Sequence, residues 1–153
     1  MTSTRLAKLR IVKFSALALL ISTSVGCSEP SLGPSWPLVT DCDLHQQACS
    51  SQSPDQRQQA RLSLSPQPIP IARPIEASVL LEGFSDVAKL EIDIAGVNMY
   101  MGYNRVSLIA DPQQPGRFKG PTMLAFCTNE RMQWQVTLIV HNQAGDMTQI
   151  PFL

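Results

Sequence analysis

Lys89-Leu90-Glu91-Ile92-Asp93-Ile94 sets every charge on one side of an extended chain and every branched aliphatic side chain on the other. Successive side chains of a strand point to opposite faces, so this stretch predicts a strand with one buried face and one wet face. Upstream, Ile75, Ala77, Val79 and Leu81 alternate with Glu76, Ser78 and Glu82 in the same way, and Leu62 and Leu64 alternate with Arg61 and Ser63. Between them Pro66, Pro68, Pro70 and Pro74 forbid a helix and point to an extended edge segment. Residues 83–86 read as a turn. Downstream, residues 105–110 form another candidate strand, closed by Asp111-Pro112 and a loop to Pro115-Gly116. Phe118 and residues 123–126 predict short strands. Trp134, Val136, Leu138 and Val140 alternate with Gln135, Thr137 and His141, and residues 142–146 hold the turn chemistry for a hairpin into residues 148–153.

Seven or eight short strands separated by turns, with no segment of 3.6-residue periodicity, predict an all-β fold: an antiparallel β-sandwich of immunoglobulin-like size over residues 60–153. A small barrel shows the same alternation. A doubly wound α/β fold is excluded, because parallel strands need crossover helices and none is readable.

The N-terminus has a different grammar. Arg5, Lys8, Arg10 and Lys13 precede an apolar run, residues 14–21 (FSALALLI), which small residues follow up to Gly26. That is the layout of a secretory signal. The run is too short to span a bilayer, which takes about 20 apolar residues. Ser24-Val25-Gly26-Cys27 resembles the lipobox of bacterial lipoproteins, with Ser24 where leucine is usual. The resemblance implies a signal peptide of residues 1–26, cleavage before Cys27 and lipidation of that cysteine with palmitate-like acyl chains. Each buried CH₂ of such a chain contributes about 0.8 kcal/mol. Ser28 stands where aspartate would imply retention at the inner membrane, so the expected location is the outer membrane, facing the periplasm. An ordinary signal peptide with a nearby cut is the alternative. Residues 27–59, rich in Ser, Pro, Gln and Asp, offer few aliphatic side chains (Leu32, Leu38, Val39, Leu44) and read as a flexible spacer.

The chain has 12 basic and 12 acidic residues, and loss of residues 1–26 removes four basic ones and no acidic one, leaving about −4. No basic patch interleaved with aromatics is present, so nucleic acid is not an expected partner. His45 and His141 are the only imidazoles, one in the spacer and one on the polar face of a strand. A Cys127–His141 nucleophile pair would need contact and an orienting third group. No mechanism-bearing spacing is found, so the chain is not expected to be an enzyme.

With Cys27 lipidated, Cys42, Cys49 and Cys127 remain, and an exported protein lives where disulfides persist. One intramolecular disulfide is expected, with Cys127 favoured as a member, tacking the spacer to the domain. Met99-Tyr100-Met101-Gly102 on an extended chain would turn both thioethers to one side, and Cys127 and Met132 bracket the loop before the Trp134 strand. Thiolate and thioether are soft ligands that select Cu(I), so Met99, Met101, Cys127 and Met132 form a candidate metal set. Methionines filling a core around Tyr100 and Trp134 are the plainer reading.

The stretch from Pro74 to Val140 resembles the YtkA-like family of small exported β-sandwiches, to which the FixH proteins are similar. The resemblance rests on Met99-Tyr100-Met101-Gly102, Gly116-Arg117-Phe118 and Met132-Gln133-Trp134-Gln135-Val136. It implies a Cu(I) role in copper handling or cytochrome oxidase assembly, with an oxidase assembly factor among the expected partners. The chain departs from FixH proteins in lacking a membrane-spanning helix and the proline and histidine that often accompany the methionines. The alternative is a structural lipoprotein whose sandwich binds another envelope protein.

Overall fold

The computed structural model describes residues 33–102, 104–127 and 131–153, so the expected signal segment and Cys27 lie outside the described residues. Eight strands follow one another: β1 (Cys49–Gln52), β2 (Gln59–Ser65), β3 (Ile75–Glu82), β4 (Val87–Gly96), β5 (Asn104–Ala110), β6 (Arg117–Thr122), β7 (Trp134–Asn142) and β8 (Met147–Phe152). They pair antiparallel in the order β1-β2-β3-β6-β5-β4-β7-β8. Strand β5 joins two halves: residues 104–108 pair with β4, and Ile109 and Ala110 pair with β6. The sheet thereby folds over itself as a sandwich around a single core.

The alternation read from the sequence is what builds that core. Leu90, Ile92 and Ile94 are buried, and they stand opposite Val140, Leu138 and Val136 of β7. Leu138 and Val136 in turn face Ile150 and Phe152 of β8. From the other half come Leu62 and Leu64, then Ile75, Ala77 and Val79. Each fully buried Leu or Ile stabilises the fold by about 1.5–3 kcal/mol over leaving it in water. The wet face of β4 carries Lys89, Glu91 and Asp93, as its sequence requires.

The spacer expectation for residues 27–59 needs correction over its described part. Residues 34–39 lie along β8 as a parallel cover: Trp36 N–H donates to the Gln149 carbonyl (2.9 Å), and Leu153 N–H donates to the Val39 carbonyl (2.9 Å). The Trp36 ring is buried and stacks on Phe84 at 5.9 Å. Counting aliphatic residues misled, because one tryptophan and a row of backbone bonds hold the segment in place of many small contacts. The cover also hides backbone groups that an open sheet edge would expose. Residues 31–153 form one compact unit, so the folded body begins well before residue 60.

Two smaller expectations change. Residues 123–126 are a loop after β6, touching the proline-rich β2–β3 connection through an Ile71–Leu124 bridge. Those prolines lie in that connection, a run of bends and a turn, where an extended edge segment was expected.

The strand directions sort the loops into two ends. One end holds the β1–β2, β3–β4, β5–β6 and β7–β8 turns. The chain enters there, with Gly33 so close to the Met147 carbonyl that a Cβ would come within 1.7 Å of its oxygen. The opposite end holds residues 40–48 and the β2–β3, β4–β5 and β6–β7 loops.

Candidate functional site

The sulfur atoms collect at that opposite end. Residues 97–99 bend sharply after β4, so Met99 and Met101 sit on a loop and not on the extended strand expected for them. The bend nonetheless gathers them. Cys127 Sγ lies 3.4 Å from Met99 Sδ, placing a thiol against a thioether across two loops. Met101 and Met132 close over Gly96: a Cβ there would meet the Met99 carbonyl oxygen at 2.3 Å, Met132 Cε at 3.0 Å and Met101 Cγ at 3.5 Å. Only a residue without a side chain lets the β4–β5 loop fold back so tightly, and glycine at this position admits both methionines.

Asn98 ties the two loops together. Its Nδ2 donates to the Arg131 carbonyl (2.7 Å), and its Oδ1 accepts the Gln133 N–H (3.1 Å). Val97 N–H donates to the Gln133 carbonyl (2.9 Å), extending the tie by one rung. On the far side the Asn104 amide donates to the Met123 carbonyl, and Ala72 N–H donates to the Leu124 carbonyl at 2.9 Å. Three loops are thus bonded into one surface.

The expected disulfide is present, but its membership is different. Cys42 pairs with Cys49, and Cys127, favoured as a partner, keeps its thiol beside Met99. The cause is a turn that Asp43 organises. Its carbonyl accepts from Gln46 and Gln47 N–H, and its carboxylate accepts from His45 N–H (2.8 Å) and Gln46 Nε2. That turn brings the Cys42 and Cys49 Cα atoms to 5.8 Å. The His45 backbone N–H, then the Gln46 amide, hold the Asp43 carboxyl below its ordinary range.

The same turn carries His45 to the site. Its Nδ1 accepts the Ile69 N–H at 3.1 Å, while Gln67 Nε2 donates to the Leu44 carbonyl at 2.9 Å. Because Nδ1 is an acceptor, the neutral ring keeps its proton on Nε2, the wrong tautomer for ligating a metal there. His45 therefore latches the Cys42–Cys49 loop to the β2–β3 connection. Beside it a cleft of about 570 Å³ is lined by Leu44, Leu64, Leu124, Met132 and Trp134. A smaller cavity of about 260 Å³ is lined by Ile71, Leu124, Cys127, Arg131 and Met132.

His141 goes elsewhere. Its Nε2 lies 2.8 Å from Glu91 Oε2 on the outer face of β4 and β7, seven residues along β7 from Trp134. At about 3.3 Å per residue that is more than 20 Å, so Cys127 and His141 are not brought together.

Sequence reasoning named all four sulfur residues but missed Gly96, Asn98 and the latching role of His45, which it placed in the spacer. A glycine closing a strictly alternating strand just before Val97-Asn98-Met99 was the available signal for the first. Nothing local marked the other two, whose partners lie 33 or more and 24 residues away.

The chain matches no family model, no curated protein and no solved structure, which leaves the chemistry of this sulfur-rich end to carry the functional reading.

Proposed function

We propose that the protein is a lipid-anchored, non-enzymatic protein of the cell envelope that holds Cu(I) at its sulfur-rich end. On this reading it is an accessory to copper handling or cytochrome oxidase assembly, anchored through Cys27 and facing the periplasm from the outer membrane. The observation that carries it is the convergence of Met99, Met101, Cys127 and Met132, with the first and third sulfurs 3.4 Å apart. Metal–thiolate bonds are about 2.3 Å long for zinc, and two such bonds accommodate sulfurs up to about 4.6 Å apart, so this pair fits one soft ion. A thiolate and thioethers in a partly apolar pocket favour Cu(I) over harder ions. The likeness to the YtkA-like family, read from the same methionines, belongs to this proposal.

Competition for Cu(I) against a chromophoric chelator tests it. Met99→Leu combined with Met101→Leu should weaken Cu(I) binding at least about tenfold, while stability changes by less than about 1.5 kcal/mol, since Leu and Met are close in volume. Binding should also tighten as pH rises, because Cys127 must shed its proton to ligate. Equal affinity in the wild-type protein and the double variant would end the copper reading. A second reading, the docking of another envelope protein, is favoured by the large apolar side chains exposed at this end.

A further inference from the structure

We infer that the cleft beside Trp134 binds a small organic cation, an amine or quaternary ammonium ion carried on an apolar body. The inference goes beyond the copper reading and does not depend on it.

The cleft has apolar walls that are held in place. Its volume of about 570 Å³ falls within the range of about 300–1,000 Å³ typical of small-molecule sites. Leu44, Leu64, Ile69 and Leu124 line it, and each is buried. They come from four separate segments: the Cys42–Cys49 loop, strand β2, the β2–β3 connection and the β6–β7 loop. Cross-ties reach three of these segments. Ile69 N–H donates to His45 Nδ1 at 3.1 Å, Gln67 Nε2 donates to the Leu44 carbonyl at 2.9 Å, and Ala72 N–H donates to the Leu124 carbonyl at 2.9 Å. Leu64 belongs to the core itself. The cavity is therefore formed before a ligand arrives, and little ordering remains for binding to impose.

The rim decides the charge of the occupant. Among the described residues, the carboxylates of Asp41 and Asp43 line the cleft, and no lysine or arginine does. Arg131 lines the smaller cavity, which shares Met132 and Trp134 with the cleft. Asp41 is exposed, and its carboxylate makes no hydrogen bond or ion pair. The Asp43 oxygens each accept one bond, from His45 N–H and from Gln46 Nε2, which leaves further lone pairs for a ligand. His45 does not offset them, because a ring nitrogen that accepts a hydrogen bond carries no proton.

Two features of the wall separate an organic cation from other ligands. Tryptophan is the side chain that attracts cations most strongly through its ring, and Trp134 is part of the lining. A bare metal ion would gain nothing from the aliphatic walls. The described residues also hold no group of three His, Cys, Asp or Glu side chains placed to bind one. An anionic ligand would meet two like charges at the rim. An ammonium head near Asp41 and Asp43, with its apolar body against Leu44, Leu64, Ile69 and Leu124, uses every part of the cleft.

An NMR titration of the metal-free Ser31–Leu153 unit with phenylbutylamine, phenylbutanol and phenylbutyrate tests this, because the three share one apolar body and differ only in the head. The amine should shift the backbone amides of residues 40–45 and 132–136, and should bind at least about fivefold more tightly than the carboxylate. Asp41→Asn should narrow that preference to about twofold or less, and Gln133→Lys, which sets a cation on the rim, should abolish it. Asp86→Asn, in the β3–β4 turn at the opposite end, should leave it unchanged. Wild-type protein that binds all three probes alike, or binds phenylbutyrate best, would overturn the inference. A wild-type preference retained in Asp41→Asn or in Gln133→Lys would do the same, as would shifts confined to other residues. Binding of acetyl-lysine amide as tight as that of phenylbutylamine would give the cleft to a protein's lysine side chain and overturn the small-molecule assignment. Asp41, Asp86 and Gln133 are exposed, and circular dichroism melts confirm that each variant folds.

Discussion

The two ends of this sandwich are closed by different means. At the end where the chain enters, three of the four turns close with their own polar side chains. Asn142 Oδ1 accepts the Asp146 N–H at 2.8 Å across the β7–β8 hairpin. Ser53 Oγ donates to Asp55 at 2.6 Å and accepts the Gln58 N–H. Asp111 accepts the Gln113 N–H and pairs with Lys119. The Ser53 hydroxyl, then the Arg57 N–H, hold the Asp55 carboxyl below its ordinary range. At the sulfur-rich end residues 40–48 have one such turn, at Asp43, closed further by the Cys42–Cys49 disulfide, but the β2–β3, β4–β5 and β6–β7 loops are held by ties between distant segments: an imidazole latch, one asparagine and backbone bonds. Turns that satisfy themselves can serve the fold alone. Loops that depend on cross-ties can carry apolar and sulfur side chains outward, and function collects on loops held by a rigid scaffold.

The largest effect should come from removing the strongest tie. Replacing Cys42 and Cys49 together by serine opens a loop with a sequence separation of seven. In the chain-entropy account such a closure stabilises by about 2 kcal/mol. Urea denaturation should show that loss, with hydrogen exchange rising first at residues 40–48. Unchanged stability would mean that the His45 latch and the β8 cover hold the segment alone, and that this end is less dependent on its ties than the contacts imply.

A matched pair of asparagines sharpens the contrast. Asn98 makes two side-chain bonds between loops, and Asn142 makes two within its own turn. Asn98 is exposed and Asn142 half-buried, neither in the core, so Asn98→Ala and Asn142→Ala should each cost about 1 kcal/mol. Their consequences for Cu(I) should differ. Asn98→Ala releases the β4–β5 loop from the β6–β7 loop and should weaken binding, while Asn142→Ala should leave binding at the wild-type value. Equal Cu(I) affinities in the two variants would show that Gly96 and the core suffice to gather the methionines.

How much of this could be read beforehand differed by segment for physical reasons. Strands β2, β3, β4 and β7 carry a buried face every second residue, and period two survives in sequence because the core enforces it. Residues 34–39 escaped because a parallel edge cover is held by backbone bonds, which leave no side-chain pattern, and by Trp36 alone. Disulfide membership escaped because spacing does not determine pairing; the Asp43 turn determined it. The sulfur set was legible as chemistry but not as geometry. Alternation along an extended strand would have aligned Met99 with Met101, whereas a bend over Gly96 brings one to Cys127 and the other to Met132.

The smallest expected effect lies on the wet face of β4, toward the polar end. Glu91 belongs to the charged row that the sequence sets outward, yet its side chain is only 12% exposed. Lys89 Nζ lies 2.8 Å from Oε1 and His141 Nε2 lies 2.8 Å from Oε2. Burial pushes the Glu91 carboxyl up, but the hydrogen bonds from Lys89 and His141 together outweigh it and hold the group below its ordinary value. A carboxyl depressed by folding binds its proton less readily in the native chain than in the unfolded one. Its contribution is therefore present above the unfolded pKa and is lost as pH falls through the folded one. Glu91→Gln should cost about 1 kcal/mol or less near neutral pH, since one partner, Lys89, is half in solvent. The cost should shrink toward zero in acid, where the wild-type carboxyl is itself protonated. Urea denaturation of both proteins at neutral and strongly acid pH measures it. A cost that stayed constant with pH would mean that packing, and not charge, holds Glu91 in place. A simultaneous loss of Cu(I) affinity would mean that the two ends, so differently built, are mechanically coupled through β4.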